Sequence, residues 1–69
     1  MHEDKNKICQ LLLKTLQATD NLWNLEGLNY YPEKEIVIAV FENGAKKIIN
    51  IAWDSGIAMI MDIIMNLGV

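Results

Sequence analysis

The sequence contains no arginine, and this absence argues against a nucleic-acid interface. All six basic residues are lysines, so the chain lacks the guanidinium fork that commonly reads guanine or clamps phosphate. Nine acidic residues against those six give a net charge of −3, which repels phosphate backbones. We therefore expect no nucleic-acid partner.

Cysteine and histidine are also scarce, with one residue of each among 69. Cys9 has no second cysteine for an intrachain disulfide, and no set of Cys and His residues has the spacing of a metal site. We expect no metal and no cofactor. Because a chain of this length hides only roughly 60% of the surface of its unfolded form, its core is small, and association is the means of stabilisation left to it.

No apolar run is long enough to cross a bilayer. The longest covers residues 57–69 and contains Asp62 and Asn66. Residues 1–4 show no apolar segment behind a basic cluster, so we expect no signal peptide. These patterns predict a soluble cytoplasmic protein with no membrane partner.

Apolar residues, by contrast, are abundant. They make up 52% of the chain, above the usual globular share of roughly 45 to 50%. One small domain, residues 1–69, has little interior in which to bury them. Part of this excess is therefore expected at a surface.

The first half of the chain predicts a helix and a weak strand. Over residues 4–19 an apolar arc alternates with lysines and glutamines at helical spacing, and the arc consists of Ile8, Cys9, Leu12, Leu13 and Leu16. Leu11 lies at its edge. Residues 25–31 read as a short strand that Gly27 interrupts, and Pro32 then favours a type I turn.

Residues 35–53 predict a β-hairpin. Residues 35–42 are rich in β-branched side chains, Asn43-Gly44 is the strongest short signal for a two-residue turn, and residues 46–53 follow as the second strand. Such a turn would pair Val40 with Lys47, Ile38 with Ile49, and Ile36 with Ile51. One predicted face then holds Ile36, Ile38, Ile49, Ile51 and Trp53, and the other holds Val37, Ala39, Phe41, Ile48, Asn50 and Ala52.

The last segment predicts a helix that is apolar almost all round. Asp54 or Ser55 is expected to cap its start and Gly68 its end. At about 100° per residue the broad apolar arc consists of Ile57, Ile60, Met61, Ile64, Met65 and Leu67, which Met59 and Ile63 extend. Only Ala58, Asp62 and Asn66 form a weakly polar strip.

The element order predicts an α+β domain, a two-layer α-β-β-β-α arrangement with a three-stranded antiparallel meander and two helices. If both helices lie on the Ile36/Ile38 face, the opposite face is bare. If one helix covers each face, the last helix still exposes part of its arc. Either arrangement predicts a homo-oligomer, with a dimer favoured. The alternative is a monomer with a tightly covered core and scattered exposed apolar side chains. The expected interface consists of Val37, Phe41, Ile48, Met59 and Ile63.

None of the potentially reactive residues has the partners that a catalytic site needs. His2 lies next to the N-terminus, Cys9 falls on the apolar arc, and residues 54–56 are explained by helix capping. Asp62 and Asn66 share a face without further ligands. Trp23, Tyr30 and Tyr31 lack the basic groove of a base-stacking platform, and Trp53 fits the sheet core.

These observations predict a non-catalytic module for self-association or protein interaction. The alternative is a small-ligand-binding regulatory domain. Its apolar pocket would lie between the last helix and the sheet, or at the oligomer interface, lined by Trp53, Met61 and neighbouring isoleucines. A packed interface without a pocket favours the first function, and an apolar cavity with converging polar groups favours the second.

Overall fold

The computed structural model describes residues 4–68, and within them it contains two helices and one three-stranded antiparallel sheet. This confirms the predicted α+β fold. Helix α1 spans Lys5–Gln17, strands β1, β2 and β3 span Leu25–Tyr31, Ile36–Phe41 and Lys46–Asn50, and helix α2 spans Gly56–Leu67. The strand order is β1-β2-β3, so β2 is central and the sheet is the predicted meander.

Helix α1 begins and ends on side-chain hydrogen bonds. The Asp4 carboxylate accepts from the backbone N–H of Lys7 at 3.0 Å, as an N-cap does. At the other end the Gln17 amide donates to the carbonyl of Leu25 at 2.7 Å, which fixes the helix against the start of β1. Cys9 and Leu16 on the predicted arc are buried, whereas Leu11 is exposed.

Strand β1 has the predicted bounds and the irregularity expected at Gly27. The β1–β2 register shifts between Leu25 and Gly27, which is a β-bulge. The predicted turn after β1 is present, because the Lys34 N–H donates to the Tyr31 carbonyl at 3.3 Å. Tyr30 and Tyr31 lie on opposite faces, as expected for neighbours in a strand.

The β2–β3 hairpin differs from the prediction by one residue. Its loop holds three residues, Glu42, Asn43 and Gly44: Phe41 donates to the carbonyl of Ala45 at 2.9 Å, and Gly44 donates to that of Phe41 at 2.9 Å. Only Gly44 of the three has a positive φ, +85°. A two-residue type I′ turn needs positive φ at both central residues, whereas a type I turn followed by a left-handed glycine needs it at one.

This single extra loop residue makes the predicted register and faces of β3 wrong. Ile38 pairs with Ile48 and Val37 with Ile49, where the two-residue turn would pair Ile38 with Ile49. A shift of one residue turns every β3 side chain to the other face. Ile49 therefore joins Val37 and Ala39, and Ile48 joins Ile36 and Ile38.

Both helices cover the Val37/Ala39 face. The sequence left open whether the helices lie together over Ile36 and Ile38 or one on each face, and the structure shows neither of these two arrangements. Helix α1 packs chiefly on β1, and α2 packs on β3 and α1. The buried core consists of Cys9, Leu16, Leu22, Leu25, Leu28, Val37, Ala39, Ile49, Ile51, Met59 and Ile63. The sheet and the helices thus form two layers with one apolar core between them.

Helix α2 has the predicted caps but not the predicted orientation. Ser55 accepts from the N–H of Ala58 at 3.2 Å, and Gly68 ends the helix at φ +78°. The side chains that enter the core are Met59 and Ile63, which the prediction placed at the margin of the apolar arc. When a helix is apolar almost all round, its periodicity does not say which side faces the sheet.

Strand β3 ends at Asn50, three residues before the predicted end. The Asn50 side chain accepts from the N–H of Ala52 at 2.9 Å, and Asp54 donates to the carbonyl of Ile51 at 3.0 Å, which closes a turn. Trp53 is the third residue of this turn, with φ +69° and 96% of its surface exposed. The prediction that Trp53 belongs to the sheet core is wrong.

Candidate functional site

The outward side of α2 carries a row of exposed apolar side chains, which we call the α2 ridge. It consists of Ile57, Met61 and Met65, which are 70%, 57% and 72% exposed. Their four-residue spacing places them along one line of the helix. At about 100° per residue this line lies on the side of α2 opposite Met59 and Ile63. The ridge therefore points away from the core.

A second apolar surface is the sheet face that neither described helix covers, which we call the bare sheet face. The register sets three cross-strand rows on it: Tyr31, Ile36 and Asn50; Asn29, Ile38 and Ile48; and Gly27, Val40 and Lys46. Isoleucine and valine of β2 form its centre and are partly exposed. Ile48 is 65% exposed. Its apolar centre and polar margin resemble the anatomy of a protein interface.

The five residues expected at an interface do not share one surface. Val37, Met59 and Ile63 are fully buried in the core, so the expectation that they are exposed is wrong. Phe41 is partly buried against the core, and Ile48 alone of the five lies on the bare sheet face. Val37 is buried because both helices cover its face of the sheet. Met59 and Ile63 are buried because α2 turns this side towards the core. Self-association itself stays a prediction.

Asp54 and Asp62 form a close pair of carboxyl groups at the start of α2. The pKa of Asp54 is raised by a hydrogen bond with the Asp62 side chain, then by burial and by the negative charge of Asp62, while Lys5 lowers it. Oδ2 of Asp54 is shielded from solvent without a hydrogen-bond donor among the described residues. Ionised carboxylates only accept, so a hydrogen bond between two carboxyl groups requires a proton on one of them.

Cys9 is a core residue without the features of a nucleophile. Its side chain is fully buried, and burial raises the pKa of the thiol to about 11. A catalytic cysteine needs the opposite shift, because the thiolate is the reactive form. The interpretation of Cys9 as a small buried hydrophobe is therefore confirmed.

The other polar candidates take part in local hydrogen bonds. Ser55 caps α2, and the Asn66 amide donates to the backbone carbonyl of Asp62 at 2.8 Å. Among the described residues no three His, Cys, Asp or Glu side chains come together as metal ligands would. His2 lies outside the described residues.

The pocket expected between α2 and the sheet does not have its expected lining. Met61 lies on the outer side of α2 and Trp53 is exposed in the turn before it, so neither faces the sheet. Surface depressions of about 250, 380 and 210 Å³ lie instead at the β1–β2 turn, along α1 and at the β1 edge.

Neither helix in residues 4–68 has the length and hydropathy that a bilayer crossing requires.

Two features of these surfaces escaped the sequence reasoning. The α2 ridge was included in the predicted apolar arc, but nothing in the pattern marked it as the exposed part. The run of β-branched residues predicts a strand through Trp53, although Asn50 and Asp54 on either side of it are residues that favour turns. That flanking signal was available.

This chain matches no protein-family model, no curated protein and no solved structure. Its function must therefore be argued from its own residues, above all from its two apolar surfaces.

Proposed function

We propose that this chain is a non-catalytic protein-interaction module that self-associates, with a dimer as the favoured form. The observation behind the proposal is the continuity of the exposed apolar side chains. The α2 ridge and the bare sheet face each gather several of them on one surface. Single exposed apolar residues are ordinary on a monomer, whereas contiguous patches mark sites of interaction.

The small size of the domain supports the same proposal. Within residues 4–68 the core contains eleven buried hydrophobic residues, and the one cysteine is a free thiol. Association adds buried apolar area to a core of this size, in the way that disulfides or metals do for other small domains. We also propose a cytoplasmic location, where reducing conditions suit a free thiol.

The native mass tests this proposal. Light scattering coupled to size exclusion is expected to report a multiple of the 7.9 kDa chain mass. Association that buries apolar surface should strengthen in sulfate, since excluded salts favour burial, and the net charge of −3 is screened at the same time. A monodisperse single chain at every accessible concentration, with or without sulfate, would contradict the proposal.

A further inference from the structure

We propose that two copies of this chain meet through the α2 ridge, with Trp53 as the anchor side chain of the contact. This inference rests on the proposed self-association. It specifies that the contact surface is the α2 ridge and that the partner is a second copy of this chain, related by a twofold axis.

The shape of α2 suits packing against a second α2. Beside the ridge runs a parallel row formed by Ile60 and Ile64, also four residues apart; both are partly exposed, and Ile64 packs against the core on its other side. The groove between the two rows is apolar along its length. Rows of this spacing pack into the matching grooves of another helix at an angle of about −50°, the commonest class of helix contact. One helix thus supplies both the ridge and the groove that a twofold contact requires.

The distribution of charge favours a second copy over other occupants. Each chain carries −3, so the repulsion between two copies is smallest when they meet through surfaces without charged side chains. Asp62 is the one ionisable residue of α2, and it lies about 100° round the helix from Met61, beside Asp54. An anionic membrane would need basic residues flanking the ridge, and α2 contains none.

The exposed area is sufficient for a stable contact. A large side chain carries roughly 150 to 250 Å² of surface. The exposed fractions of the ridge residues and Trp53 then correspond to about 440 to 740 Å² per chain. Two copies reach about 900 to 1,500 Å², a range that lies mostly above the roughly 1,000 Å² that a specific interface should bury.

Contacts within a single chain do not account for the conformation and exposure of Trp53. It occupies the position of its turn where glycine or asparagine is preferred, with φ +69°. Its indole gains almost no burial in return, since 96% of the residue is exposed. Strained backbone that gains no packing is typical of functional positions, and tryptophan is the residue most enriched among interface hot spots.

The two competing surfaces are less suitable. The bare sheet face is less exposed at its centre, because the β2 side chains there are partly buried, whereas all three ridge residues are exposed. It also carries Lys46 at its margin. The free edge of β3 presents Lys46 and Lys47, and lysines on a short edge strand oppose pairing with another sheet.

Two matched substitutions test the choice of surface. Met61→Glu places a carboxylate on the ridge, and Ile48→Glu places one on the bare sheet face at similar exposure. Both make the net charge one unit more negative, and glutamate is as compatible with a helix as methionine. Sedimentation equilibrium of the full chain should show that Met61→Glu weakens dimerisation at least about tenfold, whereas Ile48→Glu leaves it unchanged.

Trp53 fluorescence gives a second reading of the same contact. Trp23→Phe leaves Trp53 as the only indole, because the chain has two tryptophans. Its emission should shift to the red as the dimer dissociates on dilution, and no shift should occur in the Met61→Glu variant, which is already monomeric. Circular dichroism verifies that each variant is folded, and Met61→Gln replaces Met61→Glu if the latter does not fold.

The possible outcomes separate the inference from the proposed function. If Ile48→Glu dissociates the dimer and Met61→Glu does not, or if both do so equally, self-association stands and the ridge is not its surface. If the unsubstituted chain is monomeric throughout, both proposals fail. Loss of the dimer in the ridge variant alone, together with the fluorescence shift, supports the ridge.

Discussion

At the scale of single residues, three side chains have environments that set their properties. Trp53 is held in a left-handed turn with its indole in solvent. Cys9 is enclosed in the core, and Asp54 lies beside a second carboxyl group. The last two environments shift pKa values in ways that experiments on the whole protein can detect.

The buried thiol of Cys9 predicts slow chemical modification. Its pKa of about 11 leaves little thiolate near neutral pH, and the core excludes the reagent. We expect a disulfide reagent to label Cys9 at the rate at which the chain opens, and rapidly in denaturant. Absorbance of the released thiolate measures both rates. Equal rates in the folded and unfolded chain would contradict the buried position.

The carboxyl pair predicts a dependence of stability on pH. Because the pKa of Asp54 is raised above its ordinary value of 3.8, the folded chain binds a proton there more readily than the unfolded chain. The stabilising contribution is present below that value and is lost as pH rises through the folded pKa. Asp62→Asn removes the neighbouring charge, so we expect its Tm to exceed that of the unsubstituted chain at neutral pH.

This advantage of Asp62→Asn should disappear in acid, where the pair in the unsubstituted chain carries a proton. Thermal unfolding followed by circular dichroism from about pH 3 to 7 measures it. Asp20→Asn, at an exposed position after α1, is the matched control. An equal gain in Tm for Asp20→Asn would assign the effect to net charge and not to the pair.

At the scale of elements, existence and type followed from the sequence, whereas register and orientation did not. The period of the apolar residues and the cap residues predicted α1, β1 and α2 within about two residues at each end. Asn43-Gly44 correctly placed the hairpin. It did not reveal that Glu42 belongs to the loop, because two- and three-residue loops both accept glycine at a left-handed position.

The three-residue loop predicts the response of Gly44 to substitution. Its φ of +85° is unfavourable for a residue with a Cβ, although the space around it is open. Gly44→Ala should therefore lower the free energy of unfolding by about 1 kcal/mol, and Gly44→Asn by less. Urea denaturation measures both changes. Equal stability of Gly44→Ala and the unsubstituted chain would contradict the left-handed conformation.

At the scale of the whole molecule, the decisive feature is that both helices lie on the same side of the sheet. The core is therefore closed on one face of the sheet, and apolar side chains on the other face and on the outside of α2 stay accessible. The expected surplus of apolar surface is present, but it consists of other residues than Val37, Met59 and Ile63.

The two sides of α2 predict effects of very different size for the same Met→Ala substitution. Met59→Ala removes a fully buried side chain and should lower the free energy of unfolding by about 2 to 5 kcal/mol. Met65→Ala on the ridge should change it by less than about 0.5 kcal/mol when the chain is dilute enough to be monomeric. Denaturation at low protein concentration compares them. Similar losses would place Met65 in the core as well.

Periodicity, capping residues and turn chemistry were enough to specify the number, type and order of the elements, because these depend on interactions between residues close in the chain. The register of β3 and the buried side of α2 depend on contacts between distant segments. A strand with isoleucine at both Ile48 and Ile49, and a helix apolar almost all round, satisfy local rules in either orientation. Packing of the three strands against the two helices therefore selected which apolar residues enter the core and which ones remain available to a partner.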